Sequence, residues 1–244
     1  MLHFVVPFYN NESILAGNAR ALHAVLSRDF PPGAFELVLC DDGSADGSLR
    51  AARALAAELP SVRVVGYPEN RGRGHAVRYA AATCGGERLI FSDLDLPQTT
   101  DLALIARLAA ALDRDRVVVG SRFLGGSKTR RQRIRGLVGR AHRVFVRALL
   151  PRLGVRDPDA GFKGFDLAWL KKASAVCRED RWSWDMEILA VARANGLSIL
   201  EIPIDWNERH EAYATTVRLV RAAWEEFTGM RRIRRNLRRG LYRL

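Results

Sequence analysis

Residues 35–44, Phe35-Glu36-Leu37-Val38-Leu39-Cys40-Asp41-Asp42-Gly43-Ser44, decide the fold. A short β-rich run ends in two adjacent carboxylates and a turn, and a stretch with helical apolar spacing follows at about 46–58. The same pattern recurs on both sides. β-rich runs lie at 2–6, 62–65, 88–91 and 117–119, and helical stretches at about 12–28, 73–83 and 100–112. This alternation predicts an α/β domain, a Rossmann-like arrangement with a mostly parallel central sheet flanked by helices. Ligands of such sheets bind beyond the carboxyl ends of the strands. The residues just after each run are therefore the candidate site: Pro7-Phe8-Tyr9-Asn10-Asn11-Glu12, Asp41-Asp42-Gly43-Ser44, Asn70-Arg71-Gly72-Arg73-Gly74, Ser92-Asp93-Leu94-Asp95 and Gly120-Ser121-Arg122.

The second half is less regular. A basic helix is expected at about 134–150, then Asp157-Pro158-Asp159-Ala160-Gly161-Phe162-Lys163, then a helix opened by Trp182-Ser183-Trp184-Asp185-Met186-Glu187. A strand at 198–204 precedes a last helix over about 213–243. The expected division is one domain over 1–212 and a C-terminal basic amphipathic helix over 213–244.

Composition narrows the function classes. The 244 residues are 48 % hydrophobic and 27 % charged, which excludes a disordered chain. Three cysteines without a CxxC pair indicate neither a disulfide framework nor a zinc site. No stretch reaches the roughly 18 apolar residues of a membrane span. The opening Leu2-His3-Phe4-Val5-Val6 lacks a basic n-region, so no signal peptide is expected.

Net charge is +12 and unevenly spread. Residues 128–147 hold eight basic side chains and no acid, and residues 216–244 hold nine Arg against Glu225 and Glu226. The rest of the chain is mildly acidic. Localised basic charge implies an anionic partner. Neither zinc-finger spacing nor an RNP-like aromatic string accompanies it, which argues against nucleic acid.

Asp93 and Asp95, two residues apart at a strand end, have the carboxylate pairing that Mg²⁺ or Mn²⁺ prefers. An isolated DxD is more often a pair of solvated turn acids; convergence with four other strand-end strings reverses that preference. Asp41 and Asp42 exceed what a helix cap needs, and can accept from a base N–H or a ribose hydroxyl. The 70–74 loop, with Arg71 and Gly74, puts backbone N–H groups and arginines at a helix start, a natural diphosphate neighbourhood. Arg122 is positioned as an anion clamp. Asp185 and Glu187 suit a helix start through the dipole alone, so function and simple capping weigh equally there. Trp182, Trp184 and Trp206 are read as core or pocket wall.

Seven strings in order, PFYNNE, DDGSADGS, NRGRGHAVRYA, SDLD, GSR, VRDPDAGFKGF and RWSWDMEIL, resemble those of family 2 glycosyltransferases of GT-A fold. The likeness is strongest to the dolichyl-phosphate or polyprenyl-phosphate glucosyl- and mannosyltransferases, and runs from Val5 to about Trp206. The resemblance implies that Pro7, Tyr9, Glu12, Asp41 and Asp42 hold the base and ribose of a nucleotide-sugar. It implies that Asp93 and Asp95 hold the metal on the donor diphosphate, that Arg122 contacts phosphate, and that Arg131 or Arg135, with Lys163, meets the acceptor phosphate. RWSWDMEIL and the GFK string look like the glucosyl branch, which makes UDP-glucose the expected donor and GDP-mannose the runner-up. His75 departs from a usual Gly, and Pro97 from a position that supplies a further metal ligand in mannosyl relatives.

The implied reaction is an inverting displacement at an anomeric carbon, and Asp95, Arg122 and Asp185 are the catalytic candidates. A lipid-phosphate acceptor is already anionic, whereas a saccharide or protein hydroxyl needs a base, for which Asp185 is the candidate. The apolar positions of 230–244, crowded by Arg, fit a helix lying on an anionic membrane. The expected location is cytoplasmic, peripheral on the cytoplasmic face of a membrane.

Overall fold

β1 (Leu2–Phe8) is buried at every position because it is a central strand. It pairs in parallel with β2 (Phe35–Asp42) on one side and with β4 (Arg88–Ser92) on the other. A strand covered on both faces needs a continuous apolar run, and Leu2-His3-Phe4-Val5-Val6 supplies one. The structure is a computed structural model describing residues 1–96, 100–125, 127, 129–130, 143–207 and 216–244.

β3 (Val62–Tyr67), β5 (Arg116–Ser121), β7 (Phe162–Asp166) and β8 (Ser198–Pro203) complete a seven-stranded sheet of order β3-β2-β1-β4-β7-β5-β8. A small second sheet pairs β6 (Thr129–Arg130) with β9 (Trp206–Asn207). The mostly parallel sheet expected from the sequence is present. Sequence reading missed the two-residue strands β6 and β9 and, in the main sheet, β7, which runs antiparallel between β4 and β5. Its five residues, Phe-Lys-Gly-Phe-Asp, carry no clear alternation, so nothing local marks them as a strand.

The chain builds outward from β1 through β2 to β3, then returns to place β4 on the other side of β1. That reversal opens a crevice at the carboxyl ends of β1, β2 and β4. On one face pack α1 (Glu12–Asp29), α2 (Ser48–Glu58) and α4 (Leu104–Ala111). On the other pack α3 (Arg73–Thr83), α5 (Leu167–Val176) and α6 (Trp184–Ala194). Trp184 to Ala192 of α6 are all buried, Asp185 and Glu187 among them. Residues 143–149 are helical. The rest of the expected basic helix, with Arg131 and Arg135, lies outside the described residues, as do Pro97 and Gln98.

In α7 (Thr216–Arg238) and the residues after it the distal apolar positions divide: Met230, Ile233 and, beyond the helix, Tyr242 are buried in the core and Leu237 packs against it, whereas Leu241 and Leu244 are exposed. Arg232 pairs with Glu179 at 2.7 Å. The Tyr242 hydroxyl donates to Glu187 at 2.6 Å, and the Arg178 and Glu179 amides donate to the same carboxylate. Burial pushes Glu187 above the usual carboxylate range, and these donors pull it part of the way back. Tyr242→Phe is therefore expected to cost about 1.5–3 kcal/mol, the range for a hydrogen bond to a charged group. Urea denaturation measures it; an unchanged midpoint would show that Glu187 has no need of the hydroxyl.

Candidate active site

The loops after β1 and β2 are knitted together before any ligand is considered. The Asn10 amide donates to Ser44 Oγ at 3.0 Å, and the Ala45 amide to Asn10 Oδ1 at 2.8 Å. The Asn11 amide donates to Ser48 Oγ at 2.8 Å. The Glu12 amide donates to Asp46, and the Glu12 carboxylate accepts from the Gly47 amide at 3.0 Å. Glu12 thus clasps two loops.

Asp42 does the same work for the third loop. Its carboxylate accepts from the Tyr67 hydroxyl at 2.7 Å, Asn70 Nδ2 at 2.9 Å, the Arg71 amide at 2.8 Å and the Gly72 amide at 2.9 Å. Two of the N–H groups expected to cradle a diphosphate, those of Arg71 and Gly72, are therefore committed to Asp42. What this loop offers instead is Arg73, the first residue of α3. Its guanidinium donates to Asp93 at 2.7 Å and to Asp185, and lies 4.2 Å over the Trp182 ring. Burial opposes its charge, yet Asp185 and Asp93 hold its pKa above the ordinary arginine value.

The resulting cleft, about 580 Å³, lies at the crevice between β1 and β4. It brings together Pro7, Tyr9, Asp42, Asp93 and Asp95 of the predicted residues, and adds Phe8, Asn11, Ile14, Asn70, Gly72, Arg73, Leu94, Arg181 and Trp182. Glu12, Asp41, Arg71 and Gly74 are not in its lining. Asp41 is buried and accepts from the Ser44 amide at 3.0 Å. Gly74 faces Trp184, where a Cβ would come within 2.3 Å of a side-chain carbon, so its requirement is packing. Cavities of about 660 and 720 Å³ along α7 are larger, but no carboxylate lines them.

The carboxylates fit a hard divalent cation. Asp93 and Asp95 offer oxygen donors to one cleft. The room for Asp93 is provided by Gly161, the residue before β7: the Asp93 amide donates to Gly161 O at 2.9 Å, and a Cβ on Gly161 would lie 1.8 Å from Asp93 Oδ2. Only glycine leaves that carboxylate in place.

Arg122, at the end of β5, is gripped by Asp157 through Nε and Nη2, both at 2.7 Å, and its amide donates to Asp157 at 2.8 Å. Burial opposes charging both groups; their mutual attraction wins, raising Arg122 and lowering Asp157. Glu201 of β8 accepts from the Arg156 and Asp157 amides and fixes that loop. Lys163 is fully buried, donating to Asp185 Oδ1 at 2.6 Å and to Ala160 O at 2.5 Å. Burial lowers its pKa despite Asp185. Asp185 is itself fully buried between Lys163 and Arg73.

Sequence reasoning placed Trp182 as core or pocket wall, and it lines the cleft, but underrated Arg73 and Asp157 and did not foresee that Trp182 packs on Arg73. All three stood in strings that were noticed. Their partners are 20 to 112 residues away, so no local signal assigns them a role.

The geometry agrees with what comparison with known proteins finds. Glycosyltransferase AglD of Haloferax volcanii is 30 % identical over 216 residues, covering 88 % of this chain and 34 % of its own length. Human dolichyl-phosphate beta-glucosyltransferase is 27 % identical over 221 residues, covering 85 % of this chain and 67 % of its own. A Trichomonas vaginalis dolichyl-phosphate beta-glucosyltransferase, ALG5C, is 27 % identical over 217 residues, 84 % of this chain and 63 % of its own. The chain thus spans about one third to two thirds of these relatives. Glucosyl-3-phosphoglycerate synthase of Mycobacterium tuberculosis, solved with UDP, superposes with a TM-score of 0.70 at 19 % identity, over 96 % of this chain and 80 % of that one, and establishes the fold as GT-A. The same enzyme has been solved with Mn²⁺, UDP-glucose and phosphoglyceric acid. With the model of glycosyl transferase family 2 matching residues 3–173, this chain belongs to that family.

Proposed function

We propose that the protein is a metal-dependent inverting glycosyltransferase that moves a hexose, glucose ahead of mannose, from a nucleotide-sugar to a polyprenyl or dolichyl phosphate. One observation carries the reading: a single crevice holds the Asp93–Asp95 pair, and Arg122 is fixed by Asp157 at an adjoining strand end.

Asp93 and Asp95 would hold Mg²⁺ or Mn²⁺, which would neutralise the charge developing on the leaving diphosphate. The chain's own residues do the rest. Tyr9, Asn11 and Ile14 wall the end of the cleft next to Asp42, where the base and ribose would lie. Trp182, carried on Arg73, closes the other side. Arg122 is preorganised, so its charge costs no reorientation when negative charge develops nearby. An acceptor phosphate oxygen bonds to the anomeric carbon as the bond from that carbon to the nucleoside diphosphate breaks. A phosphate acceptor needs no proton removed.

The hydroxyl-acceptor alternative is weaker on this geometry. The base it requires was Asp185, which is fully buried with one oxygen engaged by Lys163 and the other by Arg73, and does not line the cleft. Asp185 is better suited to positioning Arg73 and Lys163. Lys163, enclosed with it, reaches no acceptor directly. In support of the lipid acceptor stand the names of the relatives. Among the described residues no helix is long and apolar enough to cross a membrane. A lipid acceptor goes with the proposed location, peripheral on the cytoplasmic face of a membrane.

The test is direct: purified protein with Mn²⁺, UDP-glucose or GDP-mannose, and a polyprenyl phosphate, read as lipid-linked sugar. UDP is expected to compete at least about tenfold better than GDP, the scale of discrimination that a few polar contacts to a base provide. GDP competing better would overturn the donor assignment.

A further inference from the structure

Met230, Ile233 and Tyr242 are buried in the core and Leu237 packs against it, so the distal apolar positions within α7 are covered, whereas Leu241 and Leu244 beyond the helix are exposed. Further exposed apolar side chains lie on the helix at 143–149 and earlier in α7. Val144 is 65 % exposed, Phe145 53 % and Trp224 65 %, the last on α7 and the others on the helix at 143–149. Phe145 and Trp224 belong to one aromatic cluster. Phe145 meets Phe227 edge-on at 6.4 Å between ring centres, and Phe227 meets Trp224 at 5.9 Å.

Cationic groups border the cluster on two sides. The Arg231 guanidinium lies 5.9 Å from the Phe227 ring, and beyond it Arg234, Arg235 and Arg238 line an open groove of about 660 Å³ with Leu149. On the other side Arg143 stacks at 3.9 Å on Phe123, the neighbour of Arg122. Arg122, 5.7 Å from the same ring, and Arg143 thus share Phe123, and Arg143 lies two residues before Phe145 in the chain.

We infer that this face, Val144, Phe145, Trp224 and Phe227 bordered by Arg143, Arg231 and the α7 groove, docks the protein on an anionic lipid bilayer. Exposed Trp and Phe rings sit well at headgroup level, where one edge is apolar and the other wet. The arginines meet lipid phosphates there, and their attraction is screened by salt. A nucleic acid would be drawn by the arginines alone and would leave Val144 and Phe145 facing water. The inference rests on the lipid-phosphate reading only in its purpose, to hold the Arg122 edge toward an acceptor that stays in the bilayer.

The test uses the full chain and its Phe145→Ala/Trp224→Ala double variant, co-sedimented with phosphatidylcholine vesicles with and without phosphatidylglycerol, at low and high salt. Neither preparation contains polyprenyl phosphate, so docking is read apart from transfer. The parent is expected to bind only the anionic vesicles, reversibly in salt, and the double variant at least about tenfold more weakly, the scale of two large side chains returned to water. UDP binding and transfer to polyprenyl phosphate in detergent should be the same in both, which shows the variant to be folded. A parent that ignores anionic vesicles at low salt overturns the inference, as does a variant that binds them like the parent. So does binding of a duplex oligonucleotide that outcompetes the vesicles. Loss of transfer in detergent by the parent would instead overturn the proposed reaction and leave the docking result standing.

Discussion

Asp95→Ala is expected to lower sugar transfer at least about a hundredfold, the effect of removing a principal electrostatic group from a transition state. Asp93→Ala should be nearly as damaging. The two carboxylates are the acidic pair facing one crevice, and glycine at 161, the residue before β7, lets Asp93 sit there. Asp95 is expected to be the more sensitive, because Asp93→Ala also frees Arg73 from one of its two carboxylates, leaving a cation in the cleft. Initial rates over a Mn²⁺ titration measure both variants, with thermal melting as the check on folding. Full turnover by Asp95→Ala in the presence of a chelator would falsify the metal assignment.

The largest effect on stability is expected at Asp185. Its carboxylate is fully buried and holds Lys163 at 2.6 Å on one oxygen and Arg73 on the other. Asp185→Ala leaves Lys163 buried with a carbonyl as its remaining partner, and should destabilise the fold by about 3–5 kcal/mol, as removing one member of a buried ion pair does. The pair need not be a net source of stability. Replacing both members by apolar residues, Asp185→Leu with Lys163→Met, should recover a large part of the loss. Chemical denaturation of the parent, the single variant and the double variant decides it. Equal stability of parent and Asp185→Ala would mean that water or another acid reaches Lys163, and would undo the assignment of Asp185 as the buried support of the site.

The order of elements was legible because it is written in local patterns. Leu2–Phe8 is apolar but for His3, and Phe35–Asp42 is apolar but for Glu36 up to its closing pair of carboxylates; the stretches between the strands have helical spacing, so a parallel sheet with its site at one edge follows from chain-local rules. The site's location was legible for the same reason: each strand end carried its polar string in sequence. Asp93, Asp95, Tyr9 and Asp42 were found this way. α7 shows where such reading stops. Its heptad-like spacing announces an amphipathic helix but does not say what covers the apolar side, and the choice between core and membrane depends on Glu187, Asn236 and Tyr242 meeting across the fold.

Residue types and their spacing alone thus determined the fold class, the sheet edge at which the cleft opens and the acidic pair that lines it. The tertiary structure alone decided which charges face ligand and which face one another. Asp42 closes on the amides of residues 71 and 72, Asp157 grips Arg122 from 35 residues away, and Asp185 reaches Arg73 across 112 residues. The physical reason is that an ion pair is a property of distance and burial, and a sequence fixes neither until β7 is inserted antiparallel between β4 and β5 and brings residues 157–163 beside residues 92–95 and 120–122.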